Sequence, residues 1–209
     1  MIRTILGGTF DPIHWGHLRT AHHVSTHLAS DCLVLMPSAQ PPHRDGPQAS
    51  AAQRFAMAQL AAAELPNCIA DDWELQQPRR SYTQLTLAQL HQRWPKDTLI
   101  FLLGEDAFAG LSSWYQWQRL VEHAHLVVMR RPNSTRHYPA ELTEWLAHVE
   151  TTSIAALQQQ PQGLVYFAES PLISISATAI RTAIQTQQPW RKYVPAAVAD
   201  YIEQHQLYR

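Results

Sequence analysis

A chain of 209 residues with 16 basic and 17 acidic side chains has a formal charge of −1, which does not support a broad electrostatic grip on a nucleic-acid polymer, leaves room for a local basic cluster, and fits a small phosphorylated ligand better. That length suits one compact domain whose folding buries roughly 70% of the unfolded surface. The two cysteines, Cys32 and Cys68, stand alone in apolar runs without ligand spacing and read as buried thiols in a reducing compartment, so no disulfide or metal staple is implied.

The apolar start Met1 to Leu6 is broken at once by Gly7, Gly8 and Asp11, so it does not read as a secretory signal. No apolar run approaches the ~20 residues that span a bilayer. A cytoplasmic protein with no membrane partner is expected.

Short apolar runs alternate with helical patterns along the chain. Ile2-Leu6, Cys32-Met36, Cys68-Ala70, Leu99-Leu103, Leu126-Met129 and Leu164-Phe167 read as strands, and Gly16-Ala29, Ala51-Leu65, Tyr82-Arg93, Glu105-Leu111 and Trp117-Glu122 as helices. Such alternation predicts an α/β fold built on a parallel sheet covered on both faces, with ligands beyond the strand C-termini. Residues 141 to 160 are polar with scattered Leu142, Trp145, Leu146 and Leu157, and predict a weakly packed helix followed by an irregular connection. No function is read from them.

The stretch Gly7-Gly8-Thr9-Phe10-Asp11-Pro12-Ile13-His14-Trp15-Gly16-His17 forms the first strand-to-helix turn. Adjacent glycines let the backbone approach a ligand, and the amides of a helix's first turn attract anions. His14 and His17 sit at that turn. Their spacing permits a metal pair, a structural pair or a phosphate site; the glycines favour phosphate, since imidazole donates to phosphate oxygens without a metal. His23 and His27 lie opposite Leu18, Ala21 and Leu28 on a helical wheel and read as a solvated face.

The proline-rich loop Ser38 to Ser50 brings His43 and Arg44 after the second strand. Gly104-Glu105-Asp106 follows the fourth strand, where Asp106 either caps a helix or accepts from a ribose hydroxyl. Trp114-Tyr115 stands in a polar connection, as core or as a platform for a flat ring. Further on, Ser176 is an N-cap candidate with Thr178 and Arg181 on the helix it opens, and Arg gives a planar, permanently charged fork for phosphate.

Together, His14-Trp15-Gly16-His17 and Ile175-Ser176-Ala177-Thr178-Ala179-Ile180-Arg181 resemble the HxGH and ISxTxIR signatures of a nucleotidyltransferase superfamily. Class I aminoacyl-tRNA synthetases have a similar first motif, but this chain lacks their KMSKS-type partner and is too small. Within the superfamily it resembles the bacterial nicotinate-nucleotide adenylyltransferases over nearly its whole length. The match takes in Gly7 to His17, Pro41-Pro42-His43-Arg44, Ser81-Tyr82-Thr83, Gly104-Glu105-Asp106, Trp114-Tyr115, Arg130-Arg131-Pro132, and Tyr201-Ile202 with Leu207-Tyr208.

The resemblance implies a single doubly wound, Rossmann-like domain over residues 1–209, with 173–209 a small C-terminal helical portion carrying the second signature. It also implies transfer of AMP from ATP to nicotinate mononucleotide by in-line attack without a covalent intermediate, releasing pyrophosphate, with Mg²⁺ held by the triphosphate and no metal ligand among the side chains. By the same resemblance, His14 and His17 hold the reacting phosphates, His17 nearest the α-phosphate, while Ser176, Thr178 and Arg181 with their helix N-terminus take the β- and γ-phosphates, and Arg44 contacts phosphate. Gly8, Thr9 and Phe10 line the nucleotide cleft, Gly104 and Asp106 face a ribose, Trp114 stacks on the pyridine ring, and Thr83 with Tyr115 recognise its carboxylate. A monomer or small homo-oligomer is expected. Two rivals remain at this level: a sister adenylyltransferase acting on pantetheine phosphate or the amide-bearing mononucleotide, and a non-catalytic nucleotide sensor or metal store suggested by the 12 histidines.

Overall fold

The structure, a computed structural model, describes residues 1–39, 46–77, 82–130, 137–171 and 173–209. In chain order the elements are β1 (Ile2–Gly8), α1 (Trp15–His27), β2 (Cys32–Pro37), α2 (Ala51–Ala62), β3 (Cys68–Ala70), α3 (Thr83–Arg93), β4 (Thr98–Gly104), α4 (Glu105–Ala109), β5 (His125–Arg130), α5 (Ala140–Val149), β6 (Glu150–Thr151), α6 (Ile154–Gln159), β7 (Val165–Glu169), α7 (Ala177–Gln185) and α8 (Ala196–Gln204). One seven-stranded sheet has the order β3-β2-β1-β4-β5-β7-β6. Chain order reverses between β1 and β4, the switch point beyond whose strand ends ligands bind in doubly wound sheets. Among the described residues no helix is long and apolar enough to cross a membrane.

The chain divides into two compact units. The first comprises Met1–Leu6, His23–Leu33 and Tyr82–Leu172. Its strands pair in parallel, with Leu6 opposite Leu102, Leu102 opposite Val127, Val127 opposite Tyr166 and Thr151 opposite Tyr166. Leu99, Leu102, Leu126, Val127 and Val165 are fully or almost fully buried, as a parallel sheet covered on both faces requires. Phe108 meets the rings of Phe167 and Tyr138 edge to face at 5.4 and 5.2 Å. His125, wholly buried, accepts from the Leu164 amide on Nδ1 and therefore donates from Nε2 to the Gln160 carbonyl. This fixes its tautomer, and burial lowers its pKa.

Two expectations change in this unit. Residues 140–159 are not weakly packed: Leu142, Leu146 and Leu157 are buried, and between the two helices β6 adds an edge to the sheet. Trp117–Glu122 is a 3-10 helix, not an α-helix; Trp117 lies edge-on to Trp145, 5.0 Å between ring centroids.

The second unit comprises Gly7–His22, Val34–Ser81 and Ile173–Arg209. Helix α2 starts with a reciprocal capping box, in which Ser50 Oγ accepts from the Gln53 amide and Gln53 Oε1 from the Ser50 amide. Its buried stripe holds Arg54, Met57, Ala58 and Ala61. Cys68 is half-buried instead of buried, because β3 is three residues long and partly exposed, whereas Cys32 is buried.

Candidate active site

The second unit contains the turn from β1 into α1. Phe10 adopts a left-handed backbone, φ 51°, and tucks its ring inward to 2% exposure. A Cβ on Gly8 would stand 2.7 Å from Phe10 Cε1, so the ring occupies space that only glycine leaves open. Phe10 in turn meets His17 edge to face at 5.2 Å. It therefore supports His17 from behind.

The His14 carbonyl accepts from the amides of His17 and Leu18 at 2.9 and 3.1 Å, which winds the first turn of α1 and brings the two imidazoles onto one side. They stack at 3.7 Å, 20° from parallel. Gly16 makes room for this: a Cβ there would lie 2.9 Å from His14 Cε1 and Nδ1. His14 is 4% exposed, and Nδ1 of both rings is buried without a hydrogen-bond partner among the described residues. Burial pulls the His14 pKa down to about 4. It pulls His17 well below its usual value too, with repulsion from His14 adding to the effect. Both rings are neutral at pH 7, each with one N–H to donate and one nitrogen to accept.

Helix α7 supplies a positive group to the same unit. Ser176 Oγ caps it by accepting from the Ala179 amide at 3.1 Å. Thr178 is exposed on the first turn, and Arg181, one turn on, donates from Nη2 to Thr178 Oγ1 at 3.2 Å and from Nη1 to the Asp11 carbonyl at 2.7 Å. His14, His17, Thr178 and Arg181 are thus tied to one turn inside one unit. Arg44 lies outside the described residues, as do Pro41, Pro42, His43, Ser81, Arg131 and Pro132.

In the first unit, Gly104 ends β4 with open space where a Cβ would stand, and Asp106 is exposed in the first turn of α4. Thr83 opens α3 without a side-chain cap at Tyr82. Trp114 is half-buried; Tyr115 is 47% exposed, its ring 5.0 Å from that of Tyr82.

Three residues of the turn's framework, Asp11, Arg54 and Tyr208, have no role assigned to them from the sequence. Asp11, 6% exposed, accepts from the amides of Gln48 and Ala49 and from the Tyr208 hydroxyl at 2.9, 3.1 and 2.8 Å. Arg54, 1% exposed, donates to the carbonyls of Thr9, Ser38 and Ala39 at 2.7, 2.7 and 3.1 Å. Burial lowers the Arg54 pKa, opposed by Asp11 and Tyr208, while burial followed by the Asp11 charge raises that of the Tyr208 phenol. For Arg54 a signal existed: it is a lone charge on the apolar stripe of α2.

The cytidylyltransferase-like family model matches residues 5–183. A "probable nicotinate-nucleotide adenylyltransferase" of Idiomarina loihiensis is 45% identical, covering 100% of both chains, and one of Aeromonas hydrophila is 43% identical, covering 98% of this chain and 96% of its own. A solved structure of Plasmodium falciparum nicotinic acid mononucleotide adenylyltransferase complexed with NaAD has a TM-score of 0.74 at 18% identity, covering 99% of this chain and 97% of that one. At that identity the structural likeness speaks for the fold.

Proposed function

Since the chain belongs to the nicotinate-nucleotide adenylyltransferases of the cytidylyltransferase-like family, we propose that it transfers AMP from ATP to nicotinate mononucleotide, giving nicotinate adenine dinucleotide and pyrophosphate for NAD biosynthesis in the cytoplasm. The observation that supports this most is the stacked, neutral His14–His17 pair, its Nδ1 atoms unpartnered among the described residues, at the N-terminus of α1 in the unit that also holds Arg181.

The attacking phosphate of the mononucleotide is already ionised, so the reaction needs no strong base. It needs an in-line arrangement and donors placed where charge builds on the α-phosphate and the departing pyrophosphate. His17, held by Phe10 and His14, donates to the α-phosphate, and His14 donates beside it. Both rings become easier to protonate as the anion arrives, so their positive character rises when it is useful. Thr178, Arg181 and the amides of the first turn of α7 receive the β- and γ-phosphates, and Arg44 adds a further phosphate contact. Gly8 and Thr9 border the nucleotide, Gly104 and Asp106 take a ribose, Trp114 stacks on the pyridine, and Thr83 with Tyr115 binds its carboxylate.

Mg²⁺ enters with the triphosphate as part of the nucleotide substrate. The turn's own donors do not fit a resident Mg²⁺: the histidines offer nitrogen where this ion takes oxygen, and the Asp11 carboxylate is occupied by Gln48, Ala49 and Tyr208. Among the described residues no cluster of three or more His, Cys, Asp or Glu could hold a metal.

Incubating the protein with ATP, Mg²⁺ and, separately, nicotinate mononucleotide, nicotinamide mononucleotide or pantetheine phosphate, and following pyrophosphate, tests the reading. Release is expected with the acid mononucleotide. Preference for either alternative acceptor, or no release with any, overturns it.

A further inference from the structure

A guanidinium has five N–H donors. Arg181 places one on the Asp11 carbonyl and one on Thr178 Oγ1, and the other three have no partner among the described residues. The Asp11 carboxylate lies just out of reach, with Arg181 Nη1 3.9 Å from Oδ2, beyond hydrogen-bond range. An arginine beside a carboxylate ordinarily closes onto it as a two-pronged ion pair. Here three of its roughly four acceptor positions are taken: the Gln48 amide donates to Oδ2, while the Ala49 amide and the Tyr208 phenol donate to Oδ1.

Two of these donors are backbone. The third arrives from 197 residues along the chain, on a residue whose backbone is left-handed, φ 63°, a conformation that persists in an L-residue only where its surroundings dictate it. The ring is 6% exposed, and the hydroxyl's one hydrogen bond to a described residue is the one to Asp11.

We infer that Tyr208 is a positioning residue for the phosphate site: its hydroxyl completes Asp11 Oδ1, fixes the carboxylate's orientation and draws on its charge, so Arg181 stays at long ion-pair distance and presents its free donors to the triphosphate instead of closing onto Asp11. This rests on the adenylyl-transfer reading for the identity of the anion. The wider requirement is only that the anion be a polyphosphate.

The test is a binding cycle with inorganic tripolyphosphate, read by calorimetry without any acceptor, at a temperature where melting curves show every variant folded. Tyr208→Phe removes one hydroxyl and leaves the ring in place. It should weaken tripolyphosphate binding and raise the KM for ATP about tenfold, the scale of one lost hydrogen bond to a charged site, while the KM for nicotinate mononucleotide moves by less than about twofold. In an Arg181→Ala background the same substitution should change tripolyphosphate affinity by less than about twofold, because its effect runs through Arg181. Adding Asp11→Asn to Tyr208→Phe removes the pull on Arg181 and should restore most of the affinity, whereas a packing lesion would deepen.

Equal losses with and without Arg181, no loss in Tyr208→Phe, or no tripolyphosphate binding by the unaltered protein would overturn the inference. A protein that binds tripolyphosphate as described yet releases no pyrophosphate with any mononucleotide upholds the inference and defeats only the adenylyl-transfer reading.

Discussion

His14 and His17 stack ring on ring, 3.7 Å between centroids and 20° from parallel. Burial lowers the pKa of both rings, and repulsion from His14 adds to the shift at His17. The free protein therefore holds two neutral donors, and on the proposed reading an arriving phosphate meets groups that gain charge from its presence.

That arrangement carries a stability cost in acid. His14 titrates near 6.5 when unfolded and near 4 when folded, so between those values the unfolded chain binds more protons and stability falls as pH falls. Below the window His14 has cost about 3 kcal/mol, and His17 acts in the same direction. Urea denaturation of the ligand-free protein at pH 7.5, 6 and 4.5 should show this decline, with a shallower slope in His14→Gln. A level or rising stability toward pH 4.5 contradicts it.

His17→Ala should lower turnover by roughly 10²- to 10³-fold, the usual effect of losing one transition-state donor. Pyrophosphate release under saturating substrates measures it. Activity within about threefold of the unaltered protein would be too small a loss for a group facing the α-phosphate.

Gly16→Ala separates stability from activity. In a helix Ala is favoured over Gly by roughly 0.5–1 kcal/mol, yet the new methyl would sit 2.9 Å from the His14 ring. Displacing that imidazole by less than an ångström should reduce kcat by about tenfold or more, with a melting temperature near that of the unaltered protein. Full activity would show that the ring position is not critical.

Arg54→Met replaces a buried cation by an apolar chain of similar length and leaves the carbonyls of Thr9, Ser38 and Ala39 without their guanidinium. A loss of about 3 kcal/mol is expected in chemical denaturation. Arg54→Lys should recover only part of it, since one ammonium cannot reproduce the fork. A change below about 1 kcal/mol in Arg54→Met would mean that water or neighbouring residues satisfy those carbonyls.

The turn at Gly7 to His17 was legible because its cues are local: an apolar strand before it, glycines within it, Leu18, Ala21 and Leu28 at helical spacing after it. The Ser176 cap of α7 was legible for the same reason. Within residues 141 to 160 the helix was legible but its packing was not, because Glu141, Thr143, Glu144 and His148 surround the buried Leu142 and Leu146 and mask a short apolar stripe. Glu150–Thr151 is too brief to show a strand's alternation. The Tyr208–Asp11 bond could not be seen, since a hydrogen bond across 197 residues leaves no periodic trace.

A polypeptide is made from its N-terminus onward. The glycine turn emerges at once, but the carboxylate at its centre receives its last hydrogen bond only when residue 208 has been added. The framework of this turn is therefore closed only when the segments around residues 11 and 208 have met, and on the proposed reading the anion site is complete only then.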